Sequence, residues 1–375
     1  MKQMIYADNA ATTKLDPDAF EAMIPFLTNE FGNPSQKYSF SRNPRKALEE
    51  ARISIATCIG ASPNEVFFTS GGSESDNWAI KSTAFHGGKE KAIITSSFEH
   101  HAVLHACAAV ERLGYPVAYI PPAVDGMVSP ERLSSLITDK TQLVSIMFAN
   151  NEIGTIQQIK TLSAIAHSHG ALFHTDAVQA VGHIPINVKQ LDIDMLSASA
   201  HKFNGPRGIG FLYVRDGLTL PPLIDGGAQE AGRRAGTENV ASIVAMAVAL
   251  KNNCDKMHDS ILAVSQLETY FLEHLDALGI RYCRNGSGKT LPGLISLSFR
   301  GKEGEAILHR LDLQGICVST GSACNSQSTE VSHVLKAISL EDELAKGTIR
   351  IALGKDNTRE EVDRIVLALR RILSE

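Results

Sequence analysis

Three short segments carry residue types that can do chemistry together. The apolar run Val66–Thr69 leads into Ser70-Gly71-Gly72-Ser73-Glu74-Ser75-Asp76-Asn77, where small residues open a helix pattern. Free N–H groups at a helix N-terminus form an anion cradle, and Ser73 adds a hydroxyl. No Gly-Lys-Ser/Thr follows, so this is not a Walker A loop, and the chain holds no G-x-G-x-x-G. Asp176 stands just beyond the run Ala171–His174. Lys202 follows Met195–Ser197 in Ser199-Ala200-His201-Lys202-Phe203. A lysine at a buried strand end can lose solvent and a proton, as an imine-forming lysine must. Taken singly, a glycine turn and a capping or metal-binding acid are open readings, and a surface lysine is the better one for Lys202. Taken jointly, cradle, carboxylate and lysine match the phosphate, ring nitrogen and aldehyde of one ligand, pyridoxal phosphate.

The elements that must position them alternate. Short apolar runs at Val66–Thr69, Ala92–Ser96, Val117–Ile120, Leu143–Phe148, Ala171–His174, Met195–Ser197 and Ile209–Val214 read as strands. Helix-patterned segments such as Pro44–Ile59, Ala102–Arg112 and Ile159–His169 separate them. This predicts an α/β fold with a mostly parallel sheet flanked by helices, with ligands at the carboxyl ends of the strands. After the Gly- and Pro-rich stretch Pro221–Thr237, one long helix is expected over Val240–Leu278. A strand at Leu294–Phe299 and helices at Gly304–Leu313 and Thr358–Leu373 follow, forming a smaller α+β domain. The expected division is 15–255 for the large domain, and 1–14 with 256–375 for the small one.

Composition narrows the class. The 375 residues are 43% hydrophobic and 21% charged, with a net charge of -5. A general nucleic-acid or acidic-membrane binder is usually basic, so neither direct nucleic-acid binding nor membrane binding is expected. Met1–Ala10 has no apolar signal core, and no apolar run reaches the ~20 residues of a membrane span. A cytoplasmic location is expected. Six cysteines occur, none in a C-x-x-C pair. They suggest neither a disulfide scaffold nor a zinc knuckle, so at least one needs another explanation. His101 and His105 share i,i+4 spacing but lack an H-E-x-x-H frame, and no metal site is expected.

At this point the sequence closely resembles the cysteine desulfurases, fold-type-I pyridoxal-phosphate enzymes within the class-V aminotransferases. The matching motifs span nearly the whole chain: Asp8-Asn9-Ala10-Ala11-Thr12-Thr13, Gly32-Asn33-Pro34-Ser35, the 68–75 cradle, Glu99-His100, Asn150-Asn151-Glu152-Ile153-Gly154, Asp176-Ala177-Val178-Gln179, Ser199-Ala200-His201-Lys202, Arg234–Asn239 and Ser319-Thr320-Gly321-Ser322-Ala323-Cys324.

The resemblance implies roles for these positions. Lys202 would hold the cofactor covalently and later move the substrate Cα proton. Asp176 would keep the ring nitrogen protonated, His100 would stack on the ring and assist proton transfer, and Gln179 would bond the phenolic oxygen. Gly72, Ser73, Ser199 and His201 would bind phosphate, joined by Thr237 from the partner of a homodimer. Asn151 and Arg350 would hold the carboxylate of the substrate, L-cysteine. Cys324 would take the sulfur as a persulfide, leaving alanine, and pass it to an acceptor protein, a cluster scaffold or a thiolation enzyme. Cys324 would transiently share a persulfide or cluster with that partner.

The residues support Cys324 independently. It lies in a polar run, Gly321–Thr329, whereas structural cysteines favour apolar neighbours, and an accessible thiolate can attack sulfur. Cys317, Cys58 and Cys107 read as packing residues; Cys254 and Cys283 carry no signal. The Cys324–Arg350 spacing resembles the group with a long catalytic-cysteine loop. Departures are Tyr38 for a usual His, Ala231 for a usual Arg, and Ser73 for a Thr. The alternatives are another lyase on this fold, acting on selenocysteine or a cysteine conjugate, and a non-catalytic partner that kept the fold.

Overall fold

The computed structural model describes residues 4–286, 288–321 and 331–374. The first strand, β1 (Ile5–Tyr6), stands apart from a central seven-stranded sheet. That sheet holds β2 (Val66–Thr69), β3 (Ala92–Ser96), β4 (Val117–Ile120), β5 (Thr141–Ser145), β6 (Leu172–Asp176), β7 (Met195–Ser199) and β8 (Gly210–Val214). Their order is β2-β8-β7-β6-β5-β3-β4. Only β8 runs antiparallel to its neighbours; the other pairs are parallel.

Helices cover both faces, which is why the strands read as continuous apolar runs. The pleat still sorts them with a period of two. Phe68, Ile94, Val144 and Tyr213 face helices 42–59, 159–168 and 240–255. Phe67, Ile93, Leu143 and Leu212 face helices 72–87 and 101–112, where Trp78 is fully buried.

A third apolar core gathers much of the last third of the chain. There β10 (Leu294–Ser298) pairs antiparallel with β9 (Cys283–Arg284) and β12 (Thr348–Ala352). Helices 257–277, 304–312 and 359–374 pack on them. Ile5 and Ala7 belong to this core, and β1 pairs in parallel with β11 (Ile316–Cys317). The N-terminal segment is thus stitched to the C-terminal third before it reaches the cavity.

One expectation needs correction. The long helix at Val240–Leu278 is two, Val240–Asp255 and Met257–Ala277, parted at Lys256 (φ -101°, ψ 6°). The first packs on the main sheet and the second on the C-terminal core, so a straight rod could not serve both. Asn253 pins the junction: its Nδ2 donates to the Phe203 carbonyl at 2.9 Å and its Oδ1 accepts from Lys355 at 3.0 Å. Both halves are apolar in helical rhythm, so periodicity alone carries no mark of the break.

Candidate active site

The carboxyl ends of the central strands open on a cavity of about 290 Å³, at the small end of the range that holds cofactor-sized ligands. Strand β2 delivers Gly72 and Ser73 to it, β6 delivers Asp176, and β7 delivers Ser199, His201 and Lys202. His100 follows β3, Asn151 follows β5, Gln179 follows β6, and Arg350 comes from β12. These are the proposed site residues, brought together from across the chain. Thr237 is exposed and does not line the cavity of its own chain. Cys324 lies outside the described residues; Gly321, three positions before it, lines the cavity.

The phosphate end is built by close backbone approach. Gly71 sits at φ 149°, a conformation L-residues rarely adopt. A Cβ on Gly72 would lie 2.5 Å from Val178 Cγ2. Helix 72–87 thus presents its first N–H groups without side chains in the way. Glu74 accepts the Ser70 N–H at 2.8 Å and pairs with Arg234 at 2.8 Å, fastening the Arg234–Asn239 motif to the cradle. Arg52 holds Glu230 at 2.6 and 2.8 Å, and Glu230 accepts the Phe68 N–H at 2.9 Å, which fixes β2. Burial, with Lys202 and Arg207 nearby, pushes the His201 imidazole down to about 4. A neutral imidazole keeps one ring N–H to donate.

The lysine is held by the N-terminal motif. Lys202 Nζ donates to the carbonyls of Ala10 (2.6 Å) and Ala11 (2.8 Å). Gln179 Nε2 donates to the same Ala10 carbonyl at 3.0 Å. Thr13 Oγ1 donates to the His201 carbonyl at 2.9 Å. His183 Nε2 donates to that of Lys202 at 2.8 Å. Sequence reading recognised Asp8–Thr13 as a motif, but not these contacts.

Below them lie buried titratable groups. Asp176 accepts the Val178 N–H at 2.9 Å; burial pushes its carboxyl up, while His100 and Lys202 pull it down. His100 Nδ1 accepts the Ala102 N–H at 3.1 Å. Burial keeps the ring neutral, which places its proton on Nε2. Sequence reading missed two further acids. Asp76 lines the cavity with Oδ1 3.7 Å from His174 Nε2 and without a hydrogen bond, and burial beside Asp176 pushes its carboxyl well up. Glu99, also buried, accepts from Ser96 and from the Met147 N–H, and its carboxyl is pushed up to about 8. Asp76 was in view in the cradle segment, but it lies one turn into the helix, where an acid signals nothing by type. His174, between Ser145 (2.8 Å) and Ser197 (3.0 Å), is held neutral by burial, down to about 3.

At the other end Arg350, 6% exposed, donates to the Asn151 carbonyl at 2.8 Å. Its Nε is buried without a partner. A planar guanidinium beside Asn151 suits a carboxylate.

These residues fit pyridoxal phosphate. A cradle kept open by two glycines would take the phosphate, a buried acid would meet the ring nitrogen, and a primary amine lies within the same cavity. Among the described residues, no group of three or more His, Cys, Asp or Glu side chains is placed to hold a metal, and no helix is long and apolar enough to cross a membrane.

Comparison with known proteins agrees with this geometry. The family model described as Aminotransferase class-V matches residues 5–365. A Dictyoglomus turgidum protein named cysteine desulfurase IscS is 49% identical over all of this chain and 95% of its own length. One of the same name from Methanosarcina thermophila is 48% identical over 96% of this chain and 90% of its own. A solved structure titled NifS-like protein superposes with a TM-score of 0.94 at 38% identity, covering 99% of this chain and 100% of its own. Another, SspA in complex with cysteine, gives 0.85 at 36%, covering 94% and 100%.

Proposed function

The chain belongs to the class-V aminotransferase family and is a pyridoxal-phosphate-dependent cysteine desulfurase; within that activity we propose a role for each residue of the cavity. The observation that carries it is the convergence of Lys202, Asp176 and the Gly72–Ser73 cradle on one cavity that also receives Arg350 and Gly321. When bound, the cofactor supplies an electron sink for bonds to the substrate Cα.

Around it the protein binds, orients and moves protons. Gly72, Ser73, Ser199 and His201 hold phosphate through N–H and O–H donors. Asp176 keeps a proton at the ring nitrogen, whose positive charge would in turn favour the carboxylate that burial disfavours. Gln179 donates to the phenolic oxygen. Arg350 and Asn151 hold the carboxylate of L-cysteine. Lys202 anchors the cofactor and then carries the Cα proton, with neutral His100 above the ring assisting through Nε2.

Cys324 takes the substrate sulfur: a sulfur–sulfur bond forms, the carbon–sulfur bond breaks, and the carbon skeleton gains a proton and leaves as alanine. The persulfide then passes to an acceptor, a cluster scaffold or a thiolation enzyme. A homodimer would bring Thr237 of one chain to the phosphate of the other. The separate apolar core that joins Ile5 and Ala7 to residues 264–372 supports reading 15–255 as a cofactor domain and 1–14 with 256–375 as a smaller one. A reducing cytoplasm suits a thiol that must return to the free state after each transfer.

The test is Cys324→Ala. The variant keeps the yellow absorbance of the bound cofactor and loses sulfide release from cysteine. Retained turnover would overturn the role of Cys324 and point to a lyase that needs Lys202 alone.

A further inference from the structure

Glu152 follows the substrate-facing Asn151 and is 5% exposed. Its backbone is fixed: Asn150 Oδ1 accepts the N–H groups of Glu152 (2.8 Å) and Ile153 (3.0 Å), and Asn150 Nδ2 donates to the Phe98 carbonyl at 3.0 Å. The side chain reaches into the C-terminal third. Glu152 Oε2 accepts the Ser332 hydroxyl at 2.6 Å, and Ser332 Oγ in turn accepts the Val334 N–H at 3.1 Å, capping helix 333–337. Gly321 packs on the same carboxylate oxygen. A Cβ there would collide with Oε2 and lie 3.1 Å from the Ser332 Cβ. Gly321, Glu152 and Ser332 therefore meet at one point.

We propose that Glu152 is a positioning residue that clamps Gly321 to Ser332, and so sets how the thiol of Cys324 is presented to the substrate. The proposal rests on the desulfurase reading above, since Cys324 lies between the two clamped residues. Packing alone does not account for an acid here, because a buried carboxylate is costly and an apolar side chain of similar volume would fill the space. Arg350 faces Glu152 from β12, but its guanidinium is already engaged by Asp8 and the Asn151 carbonyl. Glu303, Glu305 and Lys346 line the adjoining hollow beside Gly321 and Ser332. Burial pushes the Glu152 carboxyl up to about 7, against the Ser332 bond and Arg350. As pH falls through that value the clamp therefore changes from a carboxylate acceptor to a neutral acid.

The experiment uses the holoenzyme with Glu152→Gln, Ser332→Ala and both together. Two quantities are read separately. One is the change in cofactor absorbance on adding L-cysteine. The other is the reaction of Cys324, followed by peptide mass spectrometry as iodoacetamide alkylation and as persulfide formation in a single turnover. Each single variant leaves the absorbance change within about twofold and slows persulfide formation by roughly tenfold, as loss of one charge-assisted hydrogen bond implies. The double variant loses no more than either single, because both remove the same contact. In the wild type, Cys324 alkylation shows, beside the thiol's own titration, a second inflection near pH 7 that Glu152→Gln abolishes. Unchanged Cys324 rates in Glu152→Gln, or additive losses in the double variant, would overturn the clamp. A wild type that makes no alanine from cysteine would instead overturn the desulfurase reading itself.

Discussion

Arg350 and Asp8 form an ion pair at 2.6 Å, joining β12 to the stretch that follows β1. The pair is nearly buried, with side-chain exposures of 7% and 17%. Asp8 thus orients the guanidinium before substrate arrives, and the Asn151 carbonyl fixes its other arm. Truncating Arg350 strands Asp8 and would remove the partner proposed for the substrate carboxylate. A charged hydrogen bond is worth roughly 1.5–3 kcal/mol, so Arg350→Ala should raise KM for cysteine by about ten- to hundredfold or more. Arg350→Lys should recover little, because a lysine cannot reproduce the planar fork. Steady-state kinetics beside a cofactor titration checks this: an unchanged KM with full cofactor loading would rule out the assignment.

Gly72→Ala tests the cradle. The added methyl meets Val178 Cγ2 at 2.5 Å and pushes the helix N-terminus away from the phosphate. The cofactor dissociation constant should rise by about tenfold, the equivalent of one or two donor bonds. An absorbance titration measures it, with circular dichroism confirming that the fold persists. An affinity equal to wild type would mean that phosphate does not sit there.

Glu99 predicts a pH dependence of stability. Its carboxyl stands at about 8 in the fold against 4.5 normally. Between those values the folded chain keeps a proton that the unfolded chain has lost, so stability falls as pH rises from about 4.5 to about 8. Glu99→Gln can still accept from Ser96 and Met147 but has nothing to ionise. It should therefore be more stable than wild type at pH 9, by up to a few kcal/mol, with a smaller difference at pH 6. Urea unfolding at the two pH values decides; equal differences at both would show that Glu99 does not carry the effect. His174 acts in the opposite sense. Held neutral down to about 3 against 6.5 normally, it makes the fold lose stability as pH falls below about 6.5.

Thr237 tests the assembly. It is exposed in a single chain, outside that chain's cavity. If a partner supplies it, the protein elutes as a dimer, and Thr237→Ala weakens cofactor binding severalfold without disturbing the fold. A monomeric mass with full cofactor affinity would remove Thr237 from the site.

Several elements were legible because their causes are local. Glycines opening a helix after an apolar run, an acid closing β6 and a lysine just beyond β7 follow from backbone geometry within a few residues. The alternation of those runs with helices placed all three at one edge of a mostly parallel sheet. The break at Lys256 was not legible, because both helices keep the same rhythm and only the two cores they serve tell them apart. Thr237 was legible as part of a motif, yet no single chain explains its exposure.

What the sequence by itself determined is which chemistry the chain can do, because that depends on side-chain type and on distance from a strand or helix end. Tertiary structure alone decided what holds those groups in place: the Ala10 and Ala11 carbonyls on Lys202, Glu230 on Arg52 and Phe68, Asp8 on Arg350, and Glu152 between Gly321 and Ser332. These partners lie from 162 to 342 residues apart in the chain. A backbone carbonyl has no residue-specific signature, and a buried acid looks like a surface acid until the fold removes its water.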